Sequence, residues 1–273
     1  YLLDDHCVDW LEMYYHKYGT VNTQNVSPVE NDKRESNRSV SHTNILLDSG
    51  NIFEKKVYDK LRDLFGDNFA LVCDETRMNT YQKKRCIDST FRNCHNEVKE
   101  LMKKGIPLIA QAPLINHKNN TYGIADLLIR SDYLSVLFKN FIQDEEIELK
   151  APYLEKYHYR IIDCKWTMMD LCVDGVTIRN SGFFPAYKGQ LAVYTACLGE
   201  LQGYIPSKAY ILAKAWKMDK SVNTKNQTGQ YRGYSAFDRP GVIDYAGKDN
   251  IYLGKTKNAI TWVQRVMTEG REW

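Results

Sequence analysis

The stretch "YRIIDCKWT", residues 159–167, places an aspartate and a lysine inside a segment that otherwise has the composition of a buried β-strand. Side chains alternate between the two faces of a strand, so Asp163 and Lys165 are expected to share one face, and Ile162 and Cys164 the other. Burying a charge costs free energy unless the charge is compensated. The stretch therefore predicts a strand that carries a polar site.

A second carboxylate stands in similarly apolar surroundings, because Asp126 lies within "GIADLLI", residues 123–129. Two carboxylates in half-buried strands repel each other and lose hydration, so a cation is expected between them. Without an imidazole or thiolate partner, the oxygen ligands favour Mg²⁺ or Mn²⁺. We expect Lys165, with a pKa lowered by partial burial near that cation, to position or deprotonate a water that attacks a phosphodiester.

Hydrophobic periodicity predicts the order of elements around these two strands. Helices are predicted over residues 46–66, 80–104, 182–201 and 255–270. Strands are predicted over residues 106–116, 122–131, 159–167 and 207–216. Polar or irregular segments are expected over residues 19–44, 138–156 and 217–250. The first of these helices carries an apolar stripe that includes Leu61 and Leu64, and it stops at Gly66. Residues 1–18 also show apolar residues at helical intervals, and the first two strands form a hairpin.

Composition sets broad limits on the protein. The chain has 273 residues with 43% hydrophobic and 26% charged residues, and its net charge is only +3, so any nucleic-acid surface must be local. Its 7 cysteines form no CxxC pair, which predicts reduced thiols in an intracellular compartment, the cytoplasm or nucleus. Cys86, Cys94 and His95 do not match a zinc spacing. We see no signal peptide and no apolar run that would span a membrane.

Four segments in this order resemble the PD-(D/E)XK nucleases, and specifically their RecB-like branch. The matching segments are "GNIFEKKVYDKL" with Glu54, the strand with Asp126, the triplet Asp163-Cys164-Lys165, and "GQLAVY" with Gln190 and Tyr194. The resemblance covers residues 49–216. It implies an α/β fold with a restriction-endonuclease-like core, in which helices flank a mixed central β-sheet.

The resemblance also implies roles for these residues. Asp126, Asp163 and the main-chain carbonyl of Cys164 would bind Mg²⁺ or Mn²⁺, with Glu54 directly or through water. Lys165 would be the catalytic lysine. Gln190 would steady the metal site, and Tyr194 would face the substrate phosphate. The cysteine quartet of the iron–sulfur members is missing, so no cluster is expected.

The expected organisation is an N-terminal helix and polar linker over residues 1–48, followed by a nuclease domain over residues 49–273. That domain would contain an insertion at about residues 138–156 and a C-terminal loop and helix. Its substrate would be nucleic acid, DNA in preference to RNA, with no membrane partner. By analogy with the family, the chain could be one part of a helicase-nuclease polypeptide. An RNA nuclease of the same fold, an inactive binding module and an accidental match remain alternatives.

Each candidate residue also has a purely structural interpretation. Asp163 and Lys165 could form an ion pair on an exposed edge strand, and Asp126 could cap a turn. Glu54 could be favoured by the dipole at a helix start. Gln190 and Tyr194 could be ordinary packing residues, and all six histidines lie outside the pattern.

Two further segments are candidates for contact with nucleic acid. The basic residues of "QKKR", residues 82–85, and the nearby Lys99, Lys103 and Lys104 could follow a phosphate backbone or form a solvated helix face. The tyrosines of "QTGQYRGYSAFDRPG", residues 227–241, could stack on single-stranded bases.

Overall fold

Helices and strands alternate along most of the chain, which a computed structural model describes at residues 33–73, 87–219 and 230–272. In chain order the elements are α1 (Lys33–Phe65), β1 (Phe69–Leu71), α2 (Ser89–Lys104), β2 (Leu108–Asn116), β3 (Thr121–Arg130), α3 (Leu134–Leu137), β4 (Tyr159–Leu171), α4 (Phe184–Gln202), β5 (Lys208–Asp219), β6 (Gln230–Gly233), β7 (Gly241–Asp244) and α5 (Ile251–Glu269). Single turns of 3₁₀ helix cover Gly66–Asn68, Ser131–Tyr133 and Glu145–Glu148.

Within the described ranges the strands form a mixed sheet of seven strands, in the order β1-β2-β3-β4-β5-β6, with β7 on the first half of β5. The pairs β1/β2 and β4/β5 are parallel, and the remaining pairs are antiparallel. The predicted hairpin of β2 and β3 is confirmed. The protein is therefore an α/β protein with a mixed central sheet flanked by helices, as predicted at that level.

Helices cover both faces of the sheet. On one face Ile161 of β4 shares a hydrophobic core with Leu191 of α4, and α2 packs on the same side. On the other face Ile162 and Cys164 share a second core with Leu61 of α1. Burying each such aliphatic side chain stabilises the fold by roughly 1.5–3 kcal/mol. The predicted alternation of β4 is confirmed, and it sends Asp163 toward α4.

The N-terminal part of the fold differs from the prediction. Residues 19–44 were expected to form a polar linker, but α1 begins at Lys33, so the prediction is wrong for residues 33–44. That part lacks an apolar stripe and is rich in Ser and Asn, so it is helical as an extension of later turns that pack on the sheet. Leu64, expected on the buried stripe, is 58% exposed. Residues 1–32 lie outside the described part of the chain.

Helix α2 is shorter than predicted. It begins at Ser89, because the Asp88 carboxylate accepts a hydrogen bond from the Phe91 N–H at 2.9 Å and caps the first turn. It ends as expected at Gly105, which has a left-handed φ of 77°. Residues 80–86, where the predicted helix would have begun, lie outside the described ranges.

The predicted long loop over residues 217–250 contains three stretches of strand. Strand β5 continues to Asp219, β6 pairs with its end and β7 pairs with its beginning. β6 and β7 have only four residues each, too few for a clear strand signal in the sequence, so their pairing with β5 decides their conformation. The three-residue strand β1 escaped prediction for the same reason. Residues 220–229 lie outside the described part.

An acidic segment within the expected insertion is bound to the start of β4 through Arg160. This arginine is fully buried and donates to both carboxylate oxygens of Asp144 at 2.8 Å. A third bond reaches Glu146 at 3.2 Å. Burial alone would raise the pKa of Asp144, but the hydrogen bonds and charge of Arg160 outweigh it and lower that pKa to about 2. The ion pair therefore anchors this segment to the sheet.

Candidate functional site

The candidate site lies at the fork where β3 and β4 separate. Their pairing ends at Leu127 and Ile162, and the next residues along the two strands are Asp126 and Asp163. Beyond this point β4 no longer pairs with β3, and its pairing with β5 continues to Leu171. The Cys164 N–H donates to Asp126 Oδ2 at 2.7 Å, so the carboxylate bridges the gap between the strands. Asp126 therefore lies inside a strand, and the turn-cap interpretation is wrong.

Asp163 and Lys165 form an ion pair inside the protein. Lys165 Nζ lies 2.8 Å from Asp163 Oδ2, and Asp163 is only 1% exposed. Because Asp163 is buried and Lys165 is only 20% exposed, the interpretation as an exposed surface pair is wrong. Within the described residues, Asp163 Oδ1 is buried and has no hydrogen-bond partner. A buried carboxylate oxygen without a donor is costly, which marks this atom as a position where a ligand can bind.

Helix α1 contributes Glu54 to the other side of the fork. Glu54 lies deep inside α1 rather than in its first turn, so the helix-dipole interpretation is wrong. Its carboxylate accepts hydrogen bonds from the Tyr58 hydroxyl and from Gln111 Nε2. The Tyr58 oxygen also lies 3.0 Å from the main-chain carbonyl of Asp126. Tyr58 therefore connects the helix to the strand that carries Asp126.

Gln111 is a member of the site that the sequence motifs did not identify. It lies in β2 between Ala110 and Ala112, which pair in register with Leu127 and Ala125 on either side of Asp126. Its φ of 49° is left-handed, a conformation that costs of order 1–3 kcal/mol outside glycine and clusters at functional sites. Its Oε1 is buried without a hydrogen-bond partner within the described residues. The available signal was a lone amide in the apolar stretch "LIAQAPLI".

Helix α4 presents three polar side chains to the fork. Tyr187, Gln190 and Tyr194 follow the i, i+3, i+7 spacing of one helix face. Lys165 Nζ lies 4.9 Å from the centre of the Tyr187 ring, and Gln190 Nε2 donates to the Tyr194 hydroxyl at 3.0 Å. The Tyr194 ring lies directly over Gly123 of β3, where a Cβ atom would come within 2.2 Å of it. Glycine at this position therefore sets how closely Tyr194 approaches the strand.

The carboxyl groups of the site are electrostatically linked. Burial raises the pKa of Asp126 well above its usual value, and the charges of Asp163 and Glu54 raise it further. Burial likewise raises the pKa of Glu54, with a further contribution from Asp163. Burial would lower the pKa of Lys165, but Asp163 and Asp126 outweigh it and the pKa is raised. The expected lowering of this pKa is therefore not what the structure shows, and Lys165 is an ammonium held by carboxylates.

The donor chemistry of the fork suits a hard divalent cation. Its unpartnered ligand atoms among the described residues are buried oxygens, including Asp163 Oδ1 and Gln111 Oε1. Burial raises the pKa of the Cys164 thiol well above its usual value, which keeps it neutral. Among the described residues, however, no three side chains of His, Cys, Asp or Glu form a ready-made ligand set. Binding of a cation would therefore require the Asp126 and Asp163 carboxylates to exchange their present partners.

The other candidates from the sequence lie away from the fork or outside the described ranges. Cys94 is buried and His95 Nδ1 lies 3.1 Å from the Pro113 carbonyl, whereas Cys86 and the basic residues 82–85 are not in the described part. Lys103 pairs with Glu100 at 2.8 Å on an exposed helix face. Among the tyrosines proposed to stack on bases, two are well exposed: Tyr231 at 50% and Tyr234 at 74%.

Comparison with known proteins adds no relative. No protein-family model matches the chain, and no curated protein matches it significantly. None of the helices within the described ranges has both the length and the apolar character needed to cross a membrane.

Proposed function

We propose that this protein is a nuclease that hydrolyses phosphodiester bonds with the help of Mg²⁺ or Mn²⁺. The observation that carries the proposal is the buried Asp163 carboxylate, which lies beside Asp126 and Lys165 at the fork of two strands. Among the described residues, neither of its oxygens has a hydrogen-bond partner, and only Oδ2 contacts the Lys165 ammonium. Two buried carboxylates side by side are unfavourable for the fold, since the charge of Asp163 adds to burial in raising the pKa of Asp126. The order of the motifs, which resembles the PD-(D/E)XK nucleases, supports the same reaction.

Several residues of the fork would bind the cation together. Asp126, Asp163 and the main-chain carbonyl of Cys164 would hold it, and Glu54 would complete the set directly or through water. Such a cation lowers the pKa of a bound water and neutralises charge that develops on the phosphate oxygens. The Tyr58 and Gln111 hydrogen bonds hold the Glu54 carboxylate toward the fork.

Lys165 acts as a hydrogen-bond donor in this proposal. Its raised pKa keeps it protonated at neutral pH, so it donates to the attacking water or to the scissile phosphate. Its contact with the Tyr187 ring limits the directions in which the ammonium can point. Gln190 orients the Tyr194 hydroxyl, and that hydroxyl then faces the substrate phosphate.

An inactive nucleic-acid-binding module is the second candidate, and one observation favours it. Asp163 is paired with Lys165, Asp126 is hydrogen-bonded to the Cys164 N–H, and Glu54 accepts from Tyr58 and Gln111. All three carboxylates therefore have partners without a cation. A protein of this kind would bind nucleic acid and not cleave it. A titration with Mn²⁺ separates the two candidates, because only the nuclease needs a bound cation.

Cleavage of labelled oligonucleotides with different cations tests the proposal. We expect cleavage with Mg²⁺ or Mn²⁺, binding but little cleavage with Ca²⁺, whose larger and looser coordination aligns a water poorly, and none in excess EDTA. Undiminished cleavage in EDTA would contradict the metal requirement. Neither cleavage nor Mn²⁺ binding, together with retained affinity for the oligonucleotide, would identify the binding module.

Matched DNA and RNA strands decide the substrate. We propose DNA, on the resemblance of the motifs, and expect faster cleavage of the DNA strand. Faster cleavage of the RNA strand would assign an RNA nuclease of the same fold. A helicase domain of the same polypeptide would be the natural source of single strands for this site.

A further inference from the structure

An exposed tryptophan lies beside the fork. Trp166 follows Lys165 directly in β4 and is 43% exposed. The register between β4 and β5 shifts between Lys165 and Met168, so Trp166 lies in a β-bulge. Bulges re-aim side chains and are frequent next to active sites. The position of the exposed indole is therefore set by the β-bulge that follows Lys165.

Two side chains hold the indole in place. The Phe53 ring, one residue before Glu54 in α1, lies with its centroid 5.6 Å from that of the Trp166 ring. Lys214 of β5 places its Nζ 3.9 Å from the centre of the same ring, a cation–π contact. The indole is thus supported by an aromatic side chain and an ammonium, and two of the three residues are sequence neighbours of site residues.

The other tryptophan of this sheet region shows what a packing role looks like. Trp216 of β5 is only 7% exposed, its Nε1 donates to Asp238 at 2.7 Å, and Arg239 lies 4.1 Å from its ring. Trp166 keeps nearly half of its surface in solvent, although burying an indole is strongly favourable. A tryptophan that is supported by two neighbours but stays exposed beside charged side chains can stack on a planar ligand.

We propose that Trp166, supported by Phe53 and Lys214, stacks on an unpaired base of a single-stranded substrate next to the scissile phosphate. The inference rests on the proposed function of the fork and names its substrate as single-stranded nucleic acid. Bases in a duplex stack on each other, whereas an unpaired base offers its face to an aromatic ring. Lys214 supplies a positive charge for the adjacent backbone phosphate.

A strand without bases separates stacking from phosphate contacts. Fluorescence anisotropy in EDTA measures the affinity of the full-length protein for a labelled oligothymidylate and for an abasic strand of equal length. We expect the parent to prefer the strand with bases, and Trp166→Ala to lose about tenfold or more in affinity for it, the range of one lost stacking contact. Affinity for the abasic strand should change little. Trp166→Phe should restore most of the loss.

Tyr153→Ala is the matched control. Tyr153 is 65% exposed and packs against Gly203, just beyond the C-terminal end of α4 and far along that helix from Tyr187. The control should bind both strands as the parent does. Equal losses by Trp166→Ala on both strands, or no loss on either, would overturn the inference, and so would a parent that binds both strands equally.

The outcome is independent of the test of nuclease activity. A protein that cleaves DNA, but whose Trp166→Ala variant binds oligothymidylate as tightly as the parent does, would overturn the stacking and leave the nuclease. A protein that cleaves neither DNA nor RNA, but loses its preference for bases with Trp166→Ala, would overturn the nuclease and support stacking by a binding module.

Discussion

Two Lys–Asp pairs with buried aspartates occur in the described part of the chain, and they differ in how completely their hydrogen bonds are satisfied. Lys188 Nζ donates to Asp249 at 2.6 Å, to Asn180 at 2.7 Å and to the Ile178 carbonyl at 2.9 Å. The other Asp249 oxygen accepts a hydrogen bond from the Asp244 N–H at 3.0 Å. Both charged side chains are at most 2% exposed. This pair is saturated, and it fixes the residues just before α5 to α4.

The pair at the fork contains the same two residue types but is not saturated. Lys165 keeps 20% of its side chain exposed, and Asp163 has an oxygen without a partner in the described part of the chain. Full satisfaction of a buried pair limits the free-energy cost of burying it, whereas an incomplete one leaves capacity to bind something else. Free hydrogen-bonding capacity, more than burial or charge, therefore separates a structural pair from a candidate catalytic one.

The largest effect is expected from breaking the saturated pair. Lys188→Ala leaves Asp249 buried and uncompensated, which should lower the free energy of unfolding by about 3–5 kcal/mol. Urea denaturation followed by circular dichroism measures it. Lys248→Ala is the control, because Lys248 pairs with Asp174 on the surface with 66% exposure, and it should have almost no effect. A Lys188→Ala protein as stable as the parent would contradict the assignment.

Breaking the unsaturated pair should affect catalysis instead. Asp163→Ala should lose both Mn²⁺ binding and cleavage, because the remaining carboxylates would hold the ion weakly. Lys165→Ala should still bind Mn²⁺, while cleavage falls by about a hundredfold or more, as for a lost hydrogen-bond donor to the transition state. Isothermal titration with Mn²⁺ and a cleavage assay distinguish the two.

Two results would count against these roles. A Lys165→Ala variant that cleaves like the parent would remove the lysine from the mechanism. An Asp163→Ala variant that binds Mn²⁺ as tightly as the parent would make the pair structural after all. Lys248→Ala serves again as the control and should cleave normally.

The ion pairs of Arg160 with Asp144 and Glu146 make the stability of the fold depend on pH. The pKa of Asp144 is about 2, below its usual 3.8, so its ion pair stabilises the fold above about pH 4 and loses this contribution as pH falls toward 2. The difference in unfolding free energy between the parent and Asp144→Asn should therefore shrink by about 2 kcal/mol between pH 5 and pH 2. Urea denaturation at several pH values measures it, and a constant difference would contradict the shifted pKa.

The smallest expected effect concerns the contact between Tyr194 and Gly123. Gly123→Ala forces the Tyr194 ring away from β3, which should slow cleavage about tenfold through misplacement of the Gln190–Tyr194 pair. Gly254→Ala is the control, since nothing lies within 4 Å of a Cβ at that position of α5. It should leave cleavage unchanged and stabilise the helix by up to about 1 kcal/mol. Equal cleavage rates for both variants would argue against a role for Tyr194.

Local sequence periodicity determined which residues share a face of a strand or helix. The period of two in a strand placed Asp163 and Lys165 on one face of β4 and Cys164 on the other, and the period of 3.6 in a helix placed Gln190 and Tyr194 together. Turn residues between two apolar strands predicted the hairpin of β2 and β3. These features could be predicted because they depend only on residues close to each other in the chain.

Tertiary structure decided what depends on distant contacts. Strands β6 and β7 exist because β5 offers them hydrogen-bonding partners, and Gln111 enters the site because β2 pairs in register around Asp126. Lys188 contacts Asp249, which lies 61 residues later in the chain. The hydrogen bonds of this pair are satisfied, whereas those of the Lys165–Asp163 pair are not. The sequence shows which side chains are charged. Only the fold decides how many hydrogen-bonding partners each charged group has, because those partners come from segments far apart in the chain.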